Sequence, residues 1–128
     1  MGYCVGMIKL EDLEVYKEAM KIGELVCEVV QKWNYFDRDT LGKQLIKAAD
    51  SIALNIAEGY GRYYFKENKN FCYYSRGSAY EAMSALKKAV NRKLISTADY
   101  SSLKVNFERY LALMNPYIKS IGTGYQMT

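Results

Sequence analysis

Residues 48–62 read AADSIALNIAEGYGR. Ala48, Ala49, Ile52, Ile56 and Tyr60 recur at steps of three and four, the spacing of one buried helix face. Leu41 and Leu45 extend that face upstream. A second apolar line runs beside it through Ile46, Ala53, Leu54 and Ala57. Together the two lines exceed the roughly 100° arc that a surface helix usually buries. The pattern therefore predicts a helix covered on two sides, by its own fold and by a second copy of the chain at Ile46, Ala53, Leu54 and Ala57. The small residues imply close approach of neighbouring helices. Asn55 is expected to bond a group on a facing helix. Gly59 or Gly61 is expected to end the helix in a left-handed conformation, with Arg62 one turn beyond Glu58. A phosphate-cradling glycine loop is disfavoured, because such loops open a helix after a strand and these glycines close one.

Periodicity extends the reading outward from this segment. Leu13, Tyr16, Ala19, Met20, Gly23, Val26, Cys27, Val30 and Trp33 mark a first helix near residues 12–34, with Asp12 as its cap. Asp37 is expected to cap the second, near 38–60, with Phe36 and Leu41 as a hydrophobic staple. A third, near 65–91, turns Phe71, Tyr74, Ser75, Ser78, Ala82, Ala85, Leu86 and Ala89 inward. Gly77 within it implies a close backbone contact or a local adjustment, since glycine costs about 1 kcal/mol relative to alanine there. The fourth, near 97–120, carries Tyr100, Leu103, Phe107, Tyr110, Leu111, Met114, Tyr117, Ile118 and Ile121. Ser96 and Asp99 resemble a capping box, and Pro116 predicts a kink or an early stop near Asn115. No segment alternates like a strand. The expected fold is all-α, an antiparallel up-down-up-down four-helix bundle forming one domain over residues 1–128.

Composition narrows the chemistry. The 128 residues include no histidine, which excludes Ser-His-Asp and Cys-His catalysis and the Glu-x-x-His metal sites of ferritin-like bundles. Cys4, Cys27 and Cys72 form no C-x-x-C pair and suggest buried or incidental thiols in a reducing compartment. No apolar run approaches the roughly 20 residues that span a bilayer, and the N-terminus lacks a basic, apolar leader. The expected location is the cytoplasm, without a membrane partner.

Residues 1–37 hold four lysines against seven acids, a balance of −3. Residues 38–93 hold eleven basic side chains against five acids, a balance of +6. Within that basic region Arg62, Tyr63, Tyr64, Lys66, Lys69, Tyr73, Arg76, Tyr80 and Lys87 interleave cations with aromatic rings. Cations bind phosphates with release of counterions, and exposed rings stack on unpaired bases. Lys88, Arg92 and Lys93 extend the charge. The competing reading buries the tyrosines at contacts and solvates the lysines. For Arg76 it expects an ion pair with Glu58 or Glu81. Glu58 with Glu81, or Glu24 with Glu28, offers paired carboxylates, but no nucleophile or phosphate loop accompanies them. No catalytic residue, metal or cofactor is expected.

LEVYKEAM, QLIKAADSIALNIAEGYGR and FCYYSRGSAYEA, in that order over roughly residues 10–95, closely resemble the bacterial four-helix bundle proteins encoded by intervening sequences in large-subunit ribosomal RNA genes. These are related to accessory variability proteins of diversity-generating retroelements. The shared pair NIAEG-x-GR and RGS-x-x-E falls on Asn55, Glu58, Gly59, Gly61, Arg62, Arg76, Gly77, Ser78 and Glu81, and is more like the ribosomal branch. The resemblance implies a cyclic homo-oligomer, with a pentamer favoured, and binding of RNA or another nucleic acid. For the retroelement branch it implies a protein adaptor that binds a reverse transcriptase. One departure stands out: many relatives carry Ser or Thr before the third helix, where this chain has Tyr63, Tyr64 and Phe65.

Overall fold

The structure is a computed structural model that describes residues 8–123. A single 3-10 turn, Leu10–Asp12, leads into α1, Glu14–Gln31. A helical turn at Tyr35–Asp37 and a π-helical turn at Arg38–Gly42 then run directly into α2, Lys43–Tyr60. α3 spans Phe65–Asn91 and α4 spans Thr97–Ser120. Among the described residues there are no strands, and no helix is long and apolar enough to cross a membrane.

The four long helices pack as a bundle in which α2 lies between α1 and α3, and α4 lies between α3 and α1. Cross-helix pairs give the register. Gly23 of α1 lies against Asp50 of α2, and Gly42 lies against Val30. Gly59 lies against Asn68 and Phe71, and Ile52 bonds Ser75. On the far side Ser75 meets Tyr110, and Arg76 meets Asn115.

α2 supplies Leu45, Ala48, Ala49, Ile52, Ala53 and Ile56 to the core, and α3 supplies Cys72, Ala79, Ala82, Ala85, Leu86 and Ala89. Alanine dominates this seam, so the two backbones approach closely. At Gly59 a methyl group would come within 2.8 Å of the Asn68 Oδ1 and of the Phe71 Cβ. Larger residues fill the remainder: Ile22 and Val26 from α1, Phe107, Tyr110 and Met114 from α4.

A polar knot sits inside this core. The buried Ser75 hydroxyl donates to the Ile52 carbonyl at 2.7 Å and lies 2.6 Å from the Tyr110 hydroxyl. Because the one serine proton is used on Ile52, Tyr110 donates to Ser75. Three helices are tied by two side chains. Burial pushes the Cys72 thiol up to about 12 and also raises the Tyr110 and Tyr117 phenols, keeping all three neutral near pH 7.

Several local expectations are corrected. The cap of α1 is Leu13, not Asp12, and it makes no side-chain bond. Asn34, not Asp37, caps the second helical run, by accepting the Asp37 N–H at 3.0 Å. Phe36 is 70% exposed, so no staple forms. Asn55 donates to the Ser51 carbonyl of its own helix at 2.9 Å, satisfying its amide without a facing helix. Gly61 has φ of −78°, so α2 closes without a left-handed residue. Among described residues positive φ occurs at Lys93 and Gly122. Gly77 has nothing within 4 Å of a built methyl position and serves no close contact. α4 runs through Pro116 to Ser120, because Tyr117, Ile118 and Ile121 are buried and hold the last turn against the core.

Ser96 does accept the Asp99 N–H at 3.0 Å, as its position implied. Met20 and Tyr74, expected inside, are 44% and 57% exposed. Cys4 lies outside the described residues; Cys27 and Cys72 are free thiols.

Candidate nucleic-acid interface

The interleaved cations and rings do not form one patch. Their positions divide at the start of α3. Arg62 turns toward the α2–α3 seam, where its Nη2 lies 3.4 Å from the Glu58 Oε2 and its guanidinium covers the Phe71 ring at 4.9 Å. Tyr74 packs edge-on against the same Phe71 ring, with centroids 5.4 Å apart. Arg62 is thereby spent on packing, and its Nε is buried with no hydrogen-bond partner among the described residues. Tyr63 and Tyr64 stand exposed in the connection, their rings edge-to-face at 5.0 Å. Tyr64 occupies the N-cap of α3 with no side-chain bond, so the aromatic departure from a Ser or Thr cap leaves that helix start uncapped.

Lys66, Lys69, Tyr73, Arg76, Tyr80 and Lys87 follow at steps of three, four and seven along α3, which places them on one flank. Lys66, Tyr73, Tyr80 and Lys87 are exposed; Lys69 and Arg76 are half-buried. This flank borders α4. Arg76 donates to the Asn115 Oδ1 at 3.0 Å and lies over the Tyr73 ring at 5.1 Å. Lys87 sits over the Tyr100 ring at 5.6 Å. The expected ion pair of Arg76 with Glu58 or Glu81 is absent among the described residues, and an amide of α4 takes its place. A neutral partner leaves the full guanidinium charge on the surface. The Asn115 bond and the Tyr73 ring also restrict the side-chain freedom of that guanidinium.

Sequence reasoning missed the contribution of α4. Asn115 and Tyr100 reach the α3 flank, and Lys104 and Lys119 lie one helical turn from them on the same face. No local signal marks these residues. Asn115 and Arg76 are 39 positions apart, and only the packing of α3 on α4 joins them.

The proposed subunit strip also divides. Leu54 is 65% exposed, Ile46 and Ala57 are half-buried, and Ala53 is 3% exposed. Ala53 belongs to the interior of its own bundle, where it joins Ala49 and Ile52 in the core. On the α1–α2 side the acidic pair Asp50 and Glu24 replaces basic charge. Burial, then the Glu24 charge, raises the Asp50 carboxyl above its usual range. Arg109 of α4 reaches the buried Glu18 of α1 at 3.0 Å, so that carboxylate is structural. Among the described residues no group of three or more metal-ligating side chains is gathered.

The pattern of the 23S rRNA-intervening sequence protein family matches residues 11–116. The chain belongs to that family. No curated protein matches it. A solved structure of a protein of unknown function from the S23 ribosomal protein family of Bacteroides thetaiotaomicron VPI-5482 is similar in fold. It shares 17% identity over 82% of this chain and 98% of its own, with a TM-score of 0.74.

Proposed function

We propose that this family member is a non-enzymatic RNA-binding protein whose contact surface is the α3–α4 flank. The observation that carries the reading is Arg76, bonded to the uncharged Asn115 rather than to a carboxylate and placed over the Tyr73 ring, in line with Lys66, Lys69, Tyr80 and Lys87. Phosphates meet the cations, and unpaired bases meet Tyr73 and Tyr80, which are 46% and 54% exposed. The family's name ties it to ribosomal RNA genes, which supports RNA as the polymer. Arg62 is reassigned from this surface to the fold.

The helix order is antiparallel up-down-up-down. It rests on cross-helix pairs whose numbers run in opposite directions, such as Gly59 with Asn68 and Ile52 with Ser75. A cyclic homo-oligomer, a pentamer by family resemblance, buries the exposed Leu54 with Ala57 and repeats the cationic flank around a ring. Ile46 lies eight residues before Leu54, about 12 Å along the helix, and is not required by that contact.

Titration of a labelled single-stranded RNA at rising salt tests the electrostatic reading. Affinity is expected to fall linearly on a logarithmic plot. Lys66→Gln, Lys69→Gln and Arg76→Gln each reduce the slope by about 0.7. Affinity indifferent to salt would overturn it. Light scattering tests the assembly: a ring-sized species is expected, dissociated by Leu54→Glu, and a monomeric wild-type chain would refute the ring.

A further inference from the structure

A second cation-rich feature has no residue of α3 or α4 in its lining. A groove of about 410 Å³ opens beside the start of α2, lined by Tyr35, Arg38, Asp39, Lys43, Ile46 and Lys47. The π-helical turn builds it. Gly42, on the inner side of that turn, lies so close to α1 that a methyl group would stand 2.7 Å from the Val30 Cγ1. Arg38 and Asp39, in the same turn, line the open side.

Three cations in this groove face one carboxylate. Asp39 is held by Lys43 at 3.8 Å, whereas the Arg38 and Lys47 side chains have no hydrogen bond or ion pair among the described residues. Two positive charges therefore remain unneutralised along a shallow, open groove. Tyr35 is 72% exposed and its ring meets no other ring among the described residues, while the half-buried Ile46 adds an apolar wall. An aromatic face, an apolar wall and free cations within one groove suit a ligand that joins a flat ring to an anion. The volume falls within the roughly 300–1,000 Å³ of small-molecule sites.

We propose that this groove binds a nucleoside monophosphate unit, its base against Tyr35 and Ile46 and its phosphate held by Arg38 and Lys47. The planar guanidinium of Arg38 offers paired donors to phosphate oxygens, and Lys47 adds a point charge. Lys43 screens Asp39, which would otherwise repel the anion. The same unit can arrive as a free nucleotide or as one residue of an RNA strand. The site is independent of the α3–α4 flank and shares no residue with it.

Calorimetric titration of the full chain with adenosine 5′-monophosphate is the test. Saturable binding is expected, with adenosine alone and inorganic phosphate alone each weaker by at least about tenfold. The double variant Arg38→Gln/Lys47→Gln should lose at least about tenfold in affinity, since each charge-assisted contact goes. Both side chains are exposed, so the thermal melt should not move. Tyr35→Ala should weaken the nucleotide and leave inorganic phosphate unchanged. Lys66→Gln/Lys69→Gln should leave nucleotide binding intact, which separates this site from the RNA-binding flank. A short oligoadenylate that binds more tightly than the mononucleotide, and loses that advantage in the double variant, identifies a strand as the source; equal affinity identifies the free nucleotide. Absence of saturation at millimolar nucleotide, affinity unchanged in the double variant, or phosphate binding as tightly as the nucleotide would each overturn the proposal.

Discussion

The α2–α3 seam and the outer flank of α3 each carry a glycine of the shared motif, and the two glycines live under opposite constraints. At the seam, Gly59 has Asn68 and Phe71 pressed within 3.0 Å of where a methyl group would stand. Alanine, serine and glycine keep the backbones close, and Arg62 closes the end of the seam over Phe71. On the outer flank Gly77 meets nothing, and its neighbours Tyr73 and Tyr80 are exposed while Arg76 is half-buried against α4. The same residue type thus marks packing in one place and an unencumbered surface in the other. Motif membership alone does not distinguish a structural position from one available to a ligand.

The largest expected effect breaks the seam. Gly59→Ala forces the Asn68 backbone and Phe71 to move, and overpacking of this kind costs about 1–3 kcal/mol. Chemical denaturation should register it; an unchanged midpoint would mean that α2 and α3 are not so closely apposed. Next is the polar knot that joins the seam to α4. Ser75→Ala leaves the buried Tyr110 hydroxyl without its acceptor and Ile52 without its extra donor, for about 1–3 kcal/mol.

The same region sets an alkaline limit. The Cys72 thiol rises from an ordinary 9.0 to about 12 on folding. Its contribution is therefore fully present below pH 9 and is lost as pH rises toward 12. The raised phenols of Tyr110 and Tyr117 act in the same direction from pH 10 upward. Thermal melts should fall steeply above pH 9, less so in Cys72→Ala when each protein is compared with its own value at pH 7.

The smallest effect sharpens the other half of the comparison. Gly77→Ala meets no obstacle and removes glycine's flexibility from a helix interior, so it should stabilise by about 0.5–1 kcal/mol. RNA affinity should be unchanged. A loss of stability would place an unseen neighbour at that position.

Much of the bundle was legible from local signals. The third helix begins and ends where the periodicity puts it, at Phe65–Asn91, and the fourth begins after the Ser96 cap but runs past the stop expected near Asn115, to Ser120. The fourth helix reads cleanly because its large residues, Phe107, Tyr110 and Met114, can lie only inward. The helical run that leads into α2 starts at Tyr35, earlier than the expected residue 38, since Asn34 and Asp37 are both competent caps and the π-helical turn leaves no mark in the residue pattern. Tyr74 was placed inside because its spacing fits the stripe. The close α2–α3 approach narrows the buried arc to small residues and leaves a tyrosine no room.

The candidate surface was legible as a list of side chains and not as a surface. Lys66 through Lys87 share a flank because α3 is a regular helix, and a helix repeats by rules that depend only on sequence separation. That much follows from the chain alone. Whether Arg62 joins that flank or folds over Phe71, whether Arg76 finds a carboxylate or an amide, and whether Ala53 meets a sister chain or its own core depend on distances between residues far apart in sequence. Those distances are set by how closely whole helices pack, and packing is a property of all four at once. Only the assembled bundle could decide them.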